Sequence, residues 1–389
     1  MKPHFLLFSI LLGSLLWSCQ PDTPQISTPQ THYIDVTQSE PIGDSLFFEE
    51  VRIIALQTSD EVLIKEIHQI KMDAQQIFVL DQKGNQLLVF NTQGQYLTRI
   101  GSQGNGPEEW GDIVDFEVTD DEIIIYSNQS KAFYYYNKDT YTFRRRIPLD
   151  NYINGFHATS DGYLHFANYR TQSEAEGENF NIHWADTLHQ LQSKQFPFSP
   201  DNGLTSASGM VSPLPDHATF LYNPVFSDTL YHVNKEGHFP RFIVKIPNHV
   251  PIEHRTSKIF FSLPFEQGSH YGFISPSFAQ TEEHLFFYYH QNKYGYVPAF
   301  YHISSRQLYA GKEWRDQHPL LQMILREFGG TYDDYFVFSS QPTIIDYFRR
   351  QHPDLLNQDF PFITPEDLRK IQEAGIEDNP LIVLIKIKK

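Results

Sequence analysis

The sequence predicts an all-β fold, a six-bladed β-propeller closed by strands from its two ends, with a few helical insertions near the C-terminus. Three observations predict it. Strand-like runs recur with a period of 46 residues, aromatic residues make up 15% of the chain, and helix-type patterning is confined to the last quarter. A period near 46 suits one four-stranded blade, and abundant aromatics suit sheets packed face to face around an axis.

The N-terminus comes first. Lys2 precedes an apolar run from Phe5 to Trp17 that ends at Ser18-Cys19. The run is too short to span a bilayer, which takes about 20 residues, and reads as the core of a secretory signal over residues 1–18. Cys19 is the only cysteine in the chain. Leu16-Trp17-Ser18-Cys19 resembles a bacterial lipobox, which implies cleavage before Cys19 and lipid attachment to it. Residues 19–31, rich in Pro, Thr and Gln, cannot bury a core and are expected to form a flexible tether. The expected location is the cell envelope, with the protein held on a bacterial membrane by its lipid and either periplasmic or surface-exposed.

The propeller is expected over residues 32–389. "IFVLDQKGNQLLVFNTQGQYLTRI" from Ile77 and "IIIYSNQSKAFYYYNKDTYTFRRRI" from Ile123 are two copies of one unit, with Ile77 aligned to Ile123 and Val89 to Tyr135, each 46 residues apart. Weaker copies follow: Gly162 to Tyr169 with Phe180 to Leu191, then Thr219 to Ile246, His284 to Tyr309, and a sixth unit opening at Asp334. An open ring would expose sheet edges, so "THYIDV" (Thr31 to Val36) and "LIVLIKIKK" (Leu381 to Lys389) are expected to share the closing blade. Helical insertions are expected at about 314–328 and 344–375. In the second, Thr364 caps a helix that opens with Pro365-Glu366-Asp367 and stops at Gly375.

The order of "YIDV", "VRIIALQTSDEVLIKEIHQIKMDAQQIFVLD", "LLVFNTQGQYLTRIGSQGNGPEEW", "IVDFEV" and "EDNPLIVLIKIKK" resembles a family of six-bladed β-propeller lipoproteins of Gram-negative bacteria, relatives of the NHL-type propellers. The resemblance implies architecture and location. It implies no activity and carries over no catalytic residues.

The motifs then restrict the chemistry. Gly101, Gly104 and Gly106 sit in "IGSQGNGPEEW", but the last glycine is followed by Pro107-Glu108-Glu109 and then by a strand. A phosphate loop needs Lys and Ser or Thr there, opening a helix. The glycines are therefore read as a crossing between blades, free to adopt positive φ. Aromatic residues stand at four such places, Trp110, Tyr152, Tyr271 and Tyr332, with Asp112, His157, His270 and Asp333 beside them. Together these eight are the candidate ligand-binding residues, lining a shallow rim at the channel mouth.

No HExxH pair or G-x-S-x-G elbow occurs. His183 and His189, flanking Trp184, are expected on the surface, and the triplet Arg144-Arg145-Arg146 on a solvated outer strand. The formal net charge of −17, without a basic cluster beyond that triplet, argues against nucleic acid. The expected function is a binding module for a glycan, a peptide or an envelope protein, in contact with the membrane only through the lipid anchor. No metal site is assigned. The alternative is a metal-dependent propeller hydrolase or lyase using Asp112, His157, His270 and Asp333, with calcium as the ion such a site would take.

Overall fold

The computed structural model describes residues 30–42, 47–170, 179–199, 211–256, 270–291, 295–311 and 319–389, together with positions 259, 262, 263 and 268. The proposed signal, Cys19 and nearly all of the tether lie outside the described residues. Among those described, no helix is long and apolar enough to cross a membrane.

Two strands come first, β1 (His32–Asp35) and β2 (Phe48–Ala55). Six blades follow as antiparallel meanders. Blade 1 is β3 (Ile67–Met72), β4 (Gln76–Asp81), β5 (Gln86–Asn91) and β6 (Tyr96–Arg99). Blade 2 is β7 (Asp115–Val118), β8 (Glu122–Ser127), β9 (Ala132–Asn137) and β10 (Phe143–Pro148). Blade 3 is β11 (Gly155–Thr159), β12 (Gly162–Phe166), β13 (Asn179–Ala185) and β14 (Leu191–Phe198). Blade 4 is β15 (Val211–Pro213), β16 (Phe220–Tyr222), β17 (Thr229–Asn234) and β18 (Gly237–Lys245). Blade 5 is β19 (Phe273–Gln280), β20 (His284–His290), β21 (Tyr296–His302) and β22 (Leu308–Ala310). Blade 6 is β23 (Glu327–Tyr332), β24 (Tyr335–Ser340) and β25 (Leu381–Ile387), completed by β2.

The 46-residue repeat is real at the level of register. Phe78 faces Val89 in blade 1 as Ile124 faces Tyr135 in blade 2. The first strands of successive blades touch one another, as in β7 with β11 and β23 with β3, so they ring the axis. Middle strands are covered on both sides by neighbouring blades, which is why Ile77 to Leu80, Leu87 to Phe90 and Phe133 to Tyr136 are buried without alternation. Because strands alternate in direction, the crossings between blades share one face with the hairpins joining second to third strands. The other two hairpins of each blade lie on the opposite face.

Closure differs from the expectation in one partner. β25 does pair with an N-terminal strand, but with β2, in register Arg52 to Leu384. The reason is burial. β25 is apolar on both faces and needs a strand on each side, whereas β2 carries Glu49, Glu50 and Arg52, the charge pattern of an edge. "HYID" instead adds to blade 4 as a parallel fifth strand beside β18, fixed by a Lys245 to Asp35 ion pair of 2.8 Å. Between β1 and β2, Glu40 bridges to Tyr309 of blade 5. The N-terminal segment is thus a belt along the outer edges of blades 4, 5 and 6.

The helices are α1 (Pro319–Ile324), α2 (Pro342–Gln351) and α3 (Pro365–Glu373). The first expected helix ends early: Glu327 and Phe328 already belong to β23, and Gly329-Gly330 form a bulge in that strand and not a helix cap. Its first residues, 314–318, lie outside the described set. α2 stops at Gln351 because Pro353 disfavours helical backbone at His352, and only a single 3-10 turn follows at Leu355–Asn357. The Thr364 cap is as expected, its hydroxyl accepting from the Asp367 amide at 3.1 Å. All three helices pack with blade 6 in one cluster containing Leu321, Ile345, Ile371, Val51 and Val383.

Candidate functional site

The glycine-rich crossing from blade 1 to blade 2 is closed on itself. Glu109 turns its carboxylate back to accept from the Gly106 amide at 2.8 Å, and a Cβ at Gly104 would collide with that carboxylate. Negative charge therefore fills the place a phosphate would occupy. Only Gly101 of the three has positive φ (+61°), and a side chain there would also strike the Tyr136 hydroxyl. Gly104 and Gly106 make room for Glu109 without adopting positive φ, a correction to the reading of all three.

Trp110 is 1% exposed and packs with Ile100, Phe116 and Tyr136 in the core between blades 1 and 2. It has no ring face to offer a ligand. The loop draws it inward, since the Gly104 amide donates to its carbonyl at 3.0 Å while its own amide donates to Ser102. Asp112 is likewise committed to the scaffold: its carboxylate accepts from the Ser127 hydroxyl at 2.6 Å and the Gln129 amide at 2.9 Å. Tyr152 is different. It is 42% exposed, with Lys131 Nζ 4.3 Å and Arg170 Cζ 5.2 Å from its ring centre. Tyr271 is half-buried with its hydroxyl 3.1 Å from His254 Nδ1, and His270 beside it is exposed.

Tyr332 and Asp333 are not at a crossing. Tyr332 ends β23 opposite Tyr335, and Asp333, at φ +49°, makes the hairpin that follows. An inner strand's far end lies on the opposite face, so this pair is separated from Tyr152 and Tyr271. The error follows from Glu327 and Phe328 of β23 falling in the expected helix and Gly329-Gly330 at its end, which put the start of blade 6 at Asp334, one strand late. His157 is on β11 inside the channel. The metal-site alternative thus loses its convergence, and among the described residues no group of three or more His, Cys, Asp or Glu is placed to hold a metal ion.

Within the channel, three inner strands contribute a charged cluster. Glu117 Oε1 lies 2.7 Å from Lys71 Nζ and 2.7 Å from His157 Nδ1. Asp115, two residues before Glu117 and on the same face of β7, accepts from the Phe156 amide at 2.8 Å. Gly155 permits this approach, for a Cβ there would meet the Asp115 carboxylate at 2.8 Å. Burial pushes the Asp115 carboxyl up, and the neighbouring Glu117 charge adds to that. For Glu117 burial acts in the same direction, but Lys71 and His157 outweigh it and bring the group down to about 2. This cluster ties blades 1, 2 and 3 together across the axis.

A second polar group sits between blades 2 and 3 and was missed from sequence. His165 on β12 pairs across the strands with His183 on β13, which pairs in turn with Lys194 on β14. His189, in the following hairpin, stacks between Phe133 and Tyr163 at ring-centre distances of 3.6 and 4.1 Å. Its Nδ1 is 2.9 Å from His165 Nε2, and its Nε2 bonds to the Tyr135 hydroxyl. His183 and His189 are 7% and 6% exposed, so they are not surface residues. The expectation of surface exposure fails because β13 is a middle strand with a blade on either side. Burial holds His165 at about 3, His183 at about 4 and His189 at about 2, well below the ordinary imidazole range. The available signal was the repeat itself. The centres of the middle strands in blades 1 and 2 are apolar or aromatic, and blade 3 places histidines in its own.

These imidazoles border a cavity of about 190 Å³. Asn151 and Ile153 of the crossing form one wall, and Leu191 and Lys194, both exposed, stand at the outer strand. Tyr152, between the two wall residues, points the other way.

Comparison with curated protein sequences finds no match. Among solved structures, the fold is similar to an exported protein of Bacteroides fragilis NCTC 9343, at 20% identity and TM-score 0.76, over 92% of this chain and 100% of that one. It is also similar to a DUF4221 family member from Bacteroides vulgatus ATCC 8482, at 8% identity and TM-score 0.53, over 89% of this chain and 100% of that one. Both likenesses are of fold. At the level of sequence, residues 31–386 match the domain of unknown function DUF4934, and the chain belongs to that family.

Proposed function

We propose that this chain is a lipid-anchored envelope protein, tethered through Cys19, whose propeller binds a glycan, a peptide or an envelope protein by its crossing face. The observation that carries the reading is Tyr152, 42% exposed between Lys131 and Arg170. An exposed aromatic ring flanked by cations is suited to stacking on a flat group while the ammonium and guanidinium meet its acidic substituents. The binding patch is therefore moved from Trp110 to the crossing between blades 2 and 3, and acidic glycans or peptides are its expected ligands. The fold-level likeness to an exported Bacteroides protein supports an envelope location, as does the signal-like N-terminus, and propellers host many unrelated functions.

Glycan and peptide arrays probed with the intact propeller test the binding reading. Tyr152→Ala is expected to lose an interaction worth about 1 kcal/mol or more, a several-fold drop in affinity, and Lys131→Gln with Arg170→Gln to remove the preference for acidic ligands. Unchanged binding by Tyr152→Ala would remove this face from consideration. Anchoring is tested separately by labelling cells with a fatty-acid analogue, which should mark the protein but not its Cys19→Ser variant.

A further inference from the structure

We infer that the cavity between blades 2 and 3 is a binding site for a small monocarboxylate with a compact apolar body. The inference is independent of the crossing-face reading, because the cavity lies behind that crossing and reaches the outer strand of blade 3. The argument begins with what lines it. The chain has 47 acidic residues against 30 basic ones, yet among the described residues no carboxylate borders this cavity. Its polar lining is three imidazoles, the Asn151 amide and the Lys194 ammonium, which stands exposed beside Leu191. Two acids near it are engaged elsewhere, Glu122 with Arg144 and Arg145 and Asp186 with the amides of Leu188 and Gln190. Asp150, between the lining residues Leu149 and Asn151, is exposed.

An anionic head group is thus met by an ammonium and imidazole or amide N–H donors, with no carboxylate among the described lining residues to oppose it. The rest of the lining is Leu149, Ile153 and Leu191, an apolar wall for a hydrocarbon body. The volume sets the size. A cavity of about 150 Å³ admits a benzene-sized molecule, so about 190 Å³ suits such a body with one carboxylate. A third consideration is cost. Equivalent positions in blades 1 and 2 hold close-packed apolar side chains, and a space bordered by buried histidines forgoes that packing.

Titration calorimetry on the full chain at neutral pH tests this with benzoate and butyrate as probes and benzyl alcohol and butanol as their neutral counterparts. The carboxylates are expected to bind saturably and the alcohols at least about tenfold more weakly, the range of one charge-assisted hydrogen bond. Lys194→Gln, on an exposed strand position, should remove most of that difference. His183→Leu should abolish carboxylate binding, with nitrogen-detected imidazole spectra of the parent protein showing the same site if that variant does not fold. Equal binding of alcohols and carboxylates, unchanged carboxylate affinity in Lys194→Gln, or no heat and no imidazole shift up to roughly 10 mM probe would each overturn the assignment.

Discussion

At the scale of single residues, Asn379 shows how one side chain can hold a crossing. It is 2% exposed, accepts from the Ile64 amide at 2.8 Å, and donates to the carbonyls of Gln57 and Val62, each at 2.8 Å. Asn379→Ala leaves those backbone groups unpaired and is expected to cost on the order of 3 kcal/mol in chemical denaturation. Trp110→Ala should cost a similar 3–5 kcal/mol or so through the space it leaves between blades, with ligand binding at Tyr152 intact in whatever fraction folds. Lys71→Met leaves the buried Glu117 carboxylate with His157 alone and is expected to destabilise by about 2–3 kcal/mol. Its signature is in the acid limb. Glu117 now gives stability that is full above 4.5 and lost as pH falls toward about 2, and the variant should lose it at higher pH. Residue roles were the least legible level in the sequence. Gly101 and Thr364 could be read because local backbone geometry decides them, whereas Trp110, His183 and Asp333 depend on which blade or which face lies opposite.

At the scale of elements, the repeat was legible because middle strands carry long apolar runs bounded by turns. The two errors share a cause. β23, "EFGGTY", is short, glycine-containing and only partly buried, so its pattern is weak, and β1 pairs in parallel with a strand more than two hundred residues away. The corrected pairing makes two deletions behave differently. Removing residues 381–389 takes out β25, the strand between β24 and β2, and should leave no cooperative thermal transition. Removing residues 30–42 deletes β1 and the bridge at Glu40 but spares the closing blade. That variant is expected to stay folded by circular dichroism, at a lower Tm, with the loss concentrated at the His32 to Tyr301 contact between blades 4 and 5.

At the scale of the whole molecule, buried imidazoles set the acid stability. Besides the three at the cavity, His232 and His284 are held at about 4, in each case chiefly by burial. These folded values lie below the ordinary 6.5, so between 6.5 and about 4 the unfolded chain takes up protons that the native chain does not. Stability must therefore fall as pH falls through that window, by up to about 1.4 kcal/mol per pH unit for each such histidine. The loss of stability is therefore expected to set in below about pH 6.5, before most carboxylates titrate. Denaturation midpoints measured from pH 8 to 5 check this, and a flat profile over that range would contradict it. The edge belt has a consequence of another kind, in time. His32 finds Phe242 and Arg52 finds Leu384, so during synthesis β1 has no native partner until blade 4 is made and β2 none until β25. The belt is therefore fastened in two steps, the second only when β25 arrives, and folding of the closed ring is correspondingly slow.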